Sequence, residues 1–301
     1  MNKAKNFLSR KNKRIMFAVG MLFIPAVHFI IFWGAVNFNS VLMAFQRLNP
    51  YTGENYFTFE NFNSIRSLFA RGELRSAFSN TFYTFGFLTV FMLPWGFFLT
   101  FFLYKKIALN AFWRIMLFIP TMIPAIAMAG FFTYLIHYDG PAGKLWELVF
   151  NVKPHLLARP ESAMHTVIFY IFWTNFGGQF ILYSGAMSRI PKEVVESAKL
   201  DGAGMRTEFF RITIPLCWPT ISMLFLLNLA QAFTASGPML FLTGGASNTM
   251  TISFWIFSKA NGVPPELNLP AALGILCTLI IFPVVLLARK LLSKVYADVE
   301  F

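Results

Sequence analysis

Charge is scarce in this sequence. Only 13% of its 301 residues are Asp, Glu, Lys or Arg, about half the share of an ordinary soluble domain. Too few ionised groups remain to cover a water-facing surface, which counts against a cytosolic enzyme. Intrinsic disorder is excluded for the opposite reason: it requires low hydrophobicity, and 56% of these residues are hydrophobic. The two cysteines, Cys217 and Cys277, supply no disulfide framework and no CxxC or zinc spacing. Four scattered histidines form no metal motif. What is abundant is apolar surface, with 38 Phe, 14 Met and a mean hydropathy of +0.59. The chain reads as an all-α, polytopic membrane protein.

A helix crossing about 30 Å of hydrocarbon needs about 20 mostly apolar residues. Six stretches meet that demand, at 15–38, 81–103, 115–136, 165–187, 218–242 and 270–288, and none contains an ionised side chain. Residues 243–253 are polar and turn-forming, so the apolar piece after them is expected to belong to an external loop dipping towards the membrane. The first stretch is longer than the core of a secretory signal, and no small-x-small cleavage site follows it closely. It is therefore expected to stay as an anchor, kinked at Pro25.

The basic residues set the orientation. Lys3, Lys5, Arg10, Lys11, Lys13 and Arg14 crowd the N-terminus, and seventeen of the 25 Lys and Arg fall on the same side of six spans. The positive-inside rule makes that side cytoplasmic, with both termini inside. The net charge of +12 is thus topological, and no nucleic-acid partner is expected. The expected location is the cell (cytoplasmic or inner) membrane.

The cytoplasmic loop 188–219 carries the most information. It reads SRIPKEVVESAKLDGAGMRTEFFRITIPLCWP. Pro191 suits the first turn of a helix, where its missing N–H is no loss. Val194 and Ala198 share a face, Gly202 and Gly204 end the helix, and residues 205–212 are expected to form a second short helix that Pro215 stops. Taken alone, this helix–turn–helix of mixed charge is an ordinary solvated connector.

The spacing, however, resembles the EAA loop of binding-protein-dependent ABC importer permeases. Glu196-Ser197-Ala198 is followed by three residues and Gly202, and nine residues later by Ile212, Thr213, Ile214 and Pro215. Ser197 and Ile214 depart from the pattern by small changes. Asp201-Gly202-Ala203 and Pro219 extend the match. The resemblance covers nearly the whole chain. It is nearest to the carbohydrate-uptake branch found in maltose and glycerol-phosphate importers, on Asn80-Thr81, on Phe118-Ile119-Pro120 with Pro124, on Trp173 with Gly177, and on Leu242-Thr243-Gly244-Gly245 with Thr249. Ala246-Ser247 departs from the usual form of that last loop.

The resemblance implies a type I ABC importer transmembrane domain at 76–288. A basic N-terminus, first helix and external loop (1–75) precede it, and a cytoplasmic tail (289–301) follows. It implies that Glu196, Ser197, Ala198, Asp201, Gly202 and Ala203 couple the chain to a cytoplasmic ATP-binding subunit dimer. No GxxxxGKS or GxxxxGKT phosphate loop is present, so ATP and Mg belong to that partner, and this chain is a transport subunit with no cofactor of its own. A second homologous permease and an extracellular solute-binding protein complete the implied assembly.

Polar residues inside spans usually face a bundle interior or a pore. Thr121, Thr174, Asn175, Gln231 and Thr234 match the positions of sugar contacts in the larger membrane subunit of maltose transporters, although the residue types differ. Asn, Gln and Thr also serve interhelical hydrogen bonding, so pathway and packing both remain open for each. Gln179, Asn228, Thr133, Tyr134 and Ser236 are further polar residues within these stretches, and Phe176 and Phe233 are candidates for stacking on a sugar ring. A pathway without charges suits a neutral carbohydrate. The alternative is an ion-coupled secondary carrier, but such carriers typically hold ionisable groups in mid-membrane, and these stretches have no carboxylate. His28 is expected to be a packing or interface residue and not a proton carrier, Cys277 a small apolar filler, and Trp113 and Trp218 are expected to sit at the membrane interface.

Overall fold

The computed structural model describes residues 10–49, 51–234 and 237–295. Lys3, Lys5, Ser236 and the last residues of the expected tail (296–301) lie outside the described residues. The first element is one long apolar rod. It comprises α1 (Arg10–His28), a wide π-helical turn (Phe29–Gly34) and α2 (Ala35–Ala44). The irregularity expected at Pro25 falls one turn later, where the Ala35 N–H reaches back five residues to the Ile30 carbonyl. The α2 end packs along the last helix, and none of the rod's most apolar window is buried. His28 is accordingly exposed on this chain, with its ring 4.6 Å from that of Phe32.

A small hairpin follows, β1 (Gln46–Leu48) against β2 (Asn55–Phe57). It is the one sheet among the described residues and was not expected. Its Arg47 pairs with Glu60 at 2.7 Å. α3 (Glu60–Ala70) leads into α4 (Glu73–Phe87), which continues through a π-helical turn (Leu88–Met92) into α5 (Leu93–Tyr104).

The third expected span is broken. α6 (Asn110–Met122) ends at Ile123, which is extended (ψ 136°) because a following proline disfavours the helical region. After Pro124 come α7 (Ala125–Ile136) and α8 (Pro141–Phe150), and this later segment is turned 111° from α6. α9 (Pro160–Met187) is the central helix, 28 residues long and packed against α5, α6, α12 and α13.

The cytoplasmic loop corrects a second expectation. α10 (Lys192–Leu200) and α11 (Met205–Thr207) are separate, but α11 runs through a π-helical turn (Glu208–Thr213) into α12 (Ile214–Gln231) as one helix of 27 residues. Pro215 does not stop it. In a straight α-helix the proline ring clashes with the carbonyl four residues back. Here the preceding turn is widened by one residue, as it also is before Pro94. The fifth expected stretch is instead broken after Gln231, and α13 (Gly237–Leu242) resumes beyond it.

α14 (Ile252–Ala260) is a true helix with its first turn buried, and α15 (Asn268–Leu292) closes the bundle. All six expected stretches are thus helical, and two of them are broken. Among the described residues four helices are long and apolar enough to cross a membrane, or five if the bent α6–α7–α8 segment is one span. α9 has the length but a lower hydropathy, because Thr174, Asn175 and Gln179 fall within it.

Candidate functional site

The breaks leave space beside the polar face of α9. A cavity of about 440 Å³ lies among α4, α9, α12 and α13, with Asn175, Gln179, Asn228 and Gln231 in its wall. An adjoining cavity of about 370 Å³ lies between the α6–α7 bend and α9 and takes in Thr121, Thr174 and Asn175. Asn175, Gly178 and Pro238 border both. Four of the five expected pathway residues therefore stand in cavity walls. Thr234 does not, since it lies in the turn after α12 with its hydroxyl on the Gln231 carbonyl at 3.2 Å.

The hydrogen bonds of these side chains stay within their own helices. Thr174 Oγ1 donates to the Tyr170 carbonyl at 2.8 Å, Asn175 Nδ2 to that of Ile171 at 2.9 Å and Thr121 Oγ1 to that of Phe118 at 2.8 Å. Asn228 Nδ2 likewise donates to the Leu224 carbonyl at 2.9 Å. None of these bonds ties one helix to another. Each bond uses one donor and leaves the oxygen's remaining lone pairs free to accept, and each amide keeps a second N–H, so the walls favour a ligand rich in hydroxyl groups, which both donate and accept.

Two close approaches hold α9 in place. A β-carbon on Gly177 would lie 2.5 Å from Thr121 Oγ1, and one on Gly96 would lie 2.4 Å from Gln179 Oε1. Glycine at these positions lets α6 and α5 come near. Gln179 is 9% exposed, and its Oε1 is buried without a partner. Phe176 and Phe233, expected as stacking faces, are buried in the packed core instead.

In the cytoplasmic loop, α10 ends in a Schellman motif. The Ala203 N–H bonds the Ala198 carbonyl at 2.9 Å and the Gly202 N–H bonds that of Lys199 at 3.0 Å. Gly202 has φ +81°, a backbone that side chains with a β-carbon adopt only at a cost. Glu196, Ser197, Asp201 and Gly202 are exposed, and Ala198 and Ala203 half-buried. Two residues not anticipated lie beneath them: Glu208, 7% exposed, forms an ion pair with Lys105 at the end of α5. No local spacing could have revealed a pair so far apart in the chain.

The Asn80-Thr81 pair and the loop that carries Thr243 and Thr249 meet in the fold. Asn80 and Thr81 of α4 hold the 248–252 segment by side-chain hydrogen bonds. Within that loop the Thr243 and Thr249 hydroxyls lie 2.6 Å apart.

Long apolar helices around cavities walled by amides and hydroxyls, with one charged helical loop projecting from the bundle, define a membrane transport subunit. The profile of the family described as binding-protein-dependent transport system inner membrane component matches residues 92–296, and the chain belongs to that family. Its relatives include the multiple sugar-binding transport system permease protein MsmF of Streptococcus mutans, 28% identical over 234 residues, which are 77% of this chain and 79% of that protein. The maltose/maltodextrin transport system permease protein MalF of Salmonella typhimurium is 27% identical over 142 residues, 47% of this chain and 28% of its own length. The sn-glycerol-3-phosphate transport system permease protein UgpA of Salmonella choleraesuis is 29% identical over 164 residues, 54% and 53% of the two chains. The fold is shared with a chain in the crystal structure of a bacterial ABC transporter involved in the import of the acidic polysaccharide alginate. The TM-score is 0.81 at 22% identity, covering 95% of this chain and 98% of that one.

Proposed function

We propose that the chain is the permease subunit of an ATP-driven importer and that it moves a carbohydrate into the cell by alternating access. The observation that carries the solute class is the wall of the two cavities, where amide and hydroxyl oxygens stand free to accept hydrogen bonds from sugar hydroxyls. The sugar-transport names of MsmF and MalF support the same reading. Thr121, Thr174, Asn175, Gln231 and Thr234 are the proposed pathway residues. Thr234 rests on the resemblance alone.

ATP, with Mg, is hydrolysed on a separate pair of cytoplasmic subunits. The proposed contact with them is the exposed end of α10, formed by Glu196, Ser197, Ala198, Asp201, Gly202 and Ala203. A second homologous permease and an extracellular solute-binding protein complete the assembly, and both termini lie in the cytoplasm. Residues 76–288 form the transporting domain, behind an N-terminal segment at 1–75 and ahead of a tail at 289–301. The family match over 92–296 overlaps most of that domain.

The test is purification from the native host in mild detergent, followed by reconstitution in vesicles. Co-purification of an ATPase subunit and a second permease, with sugar uptake that requires ATP and the binding protein, is the expected result. Uptake by this chain alone, without ATP and driven by an ion gradient, would overturn the proposal in favour of a secondary carrier.

A further inference from the structure

We propose that Lys105 and Glu208 form a charged strut that carries motion of the cytoplasmic loop into α5 and onward to the cavity wall. The inference rests on the coupling role proposed for the loop and adds the route by which the motion leaves it. Glu208 opens the π-helical turn that follows α11. Lys105 follows the last residue of α5, where a cation is favoured by the helix dipole, and its ammonium lies 5.6 Å from the centre of the Phe101 ring. The pair is largely withdrawn from solvent, with side chains 22% and 9% exposed.

The neighbouring residue fixes the same two elements a second time. Phe209 sits against three rings of α5, with centroid distances of 5.7 Å to Phe97, 5.9 Å to Phe98 and 5.0 Å to Phe101. An ion pair at its end and a ring along its side therefore bind α5 to the exit of the loop. α5 in turn meets α9 through Gly96 against Gln179 and through Phe97, edge-on to Tyr183 at 5.1 Å. Gln179 stands in the wall of the larger cavity. π-helical turns lie at both ends of the unit, at Leu88–Met92 and Glu208–Thr213, and such turns frequently mark functional sites. The strut remains closed while α5 and the loop move together, so Lys105 and Glu208 are positioning residues.

The experiment uses the assembled transporter with its binding protein and compares wild type with the double variant Lys105→Cys/Glu208→Cys, before and after joining the two thiols with a short bifunctional thiol reagent. Sugar uptake and ATP hydrolysis are measured on the same vesicles. Without the link, uptake per ATP is expected to fall about tenfold while hydrolysis continues. Joining the thiols restores the ratio. Glu208→Gln is the second variant, expected to give the same loss, with recovery in the exchanged pair Lys105→Glu/Glu208→Lys. A normal ratio in the unlinked or Gln variant, or no recovery in either the linked or the exchanged form, overturns the strut. A wild-type assembly without ATP-dependent uptake overturns the proposed function instead, whatever the variants do.

Discussion

The side-chain amide of Asn80 donates to the Asn248 carbonyl at 2.7 Å, tying α4 to a loop 168 residues later. The same nitrogen donates to the Met250 carbonyl at 2.9 Å, and Thr81 Oγ1 accepts the Ile252 N–H at 2.9 Å. The loop needs the support, because Ser247 and Asn248 both have positive φ, at 53° and 57°. Asn80→Ala removes the donor from two part-buried carbonyls. The expected loss is about 2 kcal/mol, seen as a lower Tm in detergent than for Arg75→Ala at an exposed position of the same helix. Equal melting of the two variants would contradict the clamp.

Gly177 and its neighbour Gly178 face different surroundings and are expected to respond differently to one added methyl group. At Gly177 it meets the Thr121 side chain at 2.5 Å, whereas at Gly178 it meets nothing within 4 Å. Gly177→Ala should therefore cost about 1–3 kcal/mol, as overpacking typically does. Gly178→Ala should leave the melting transition near wild type while narrowing both cavities, since that residue borders each. Thermal melting of the two variants in one detergent checks the contrast, and equal shifts would contradict the close approach of α6.

Helix positions were legible in the sequence, but helix continuity was not. Averaged hydropathy locates the apolar stretches and is blind to whether backbone hydrogen bonds run on through a proline. Pro124 breaks its span, while Pro219 and Pro283 sit inside unbroken helices, so the residue type alone could not separate the cases. In the cytoplasmic loop the end of α10 at Gly202 is legible in the sequence, and the positive φ there justifies the glycine. The continuation past Pro215 is not legible, because a π-helical turn accommodates that proline. Phe176 and Phe233 lie beside Asn175 and Thr234 in the sequence. Adjacent residues on a helix do not share a face, so Phe176 next to Asn175 points into the core. Lys105 and Glu208 left no local signature, because only the packing of α5 against the loop exit brings them together.

Asn175 and Gln231 border the larger cavity from opposite helices, and both are exposed to it or to solvent. Removing one amide that contacts the solute costs about 1 kcal/mol. Asn175→Leu or Gln231→Leu should therefore raise the KM for sugar uptake about five- to tenfold. Melting should change little, because neither side chain bonds to another helix. Uptake measured over a range of sugar and binding-protein concentrations tests this. A large fall in Tm with unchanged KM would assign both residues to packing.

Gly202 separates backbone geometry from docking. Nothing lies within 4 Å of a β-carbon placed there, so the local cost of a side chain is the left-handed backbone alone, roughly 1–2 kcal/mol for most residues. Asn tolerates that conformation better than other side chains, so Gly202→Asn should keep both stability and uptake close to wild type. Gly202→Trp has room in this chain but projects a large ring from the exposed end of α10, where the ATPase subunit is proposed to bind. Uptake should be abolished with membrane insertion intact, and the ATPase should be lost on purification. The comparison of the two variants makes the result specific. A Trp variant that transports normally removes α10 from the docking surface, whereas failure of both variants assigns the loss to the turn.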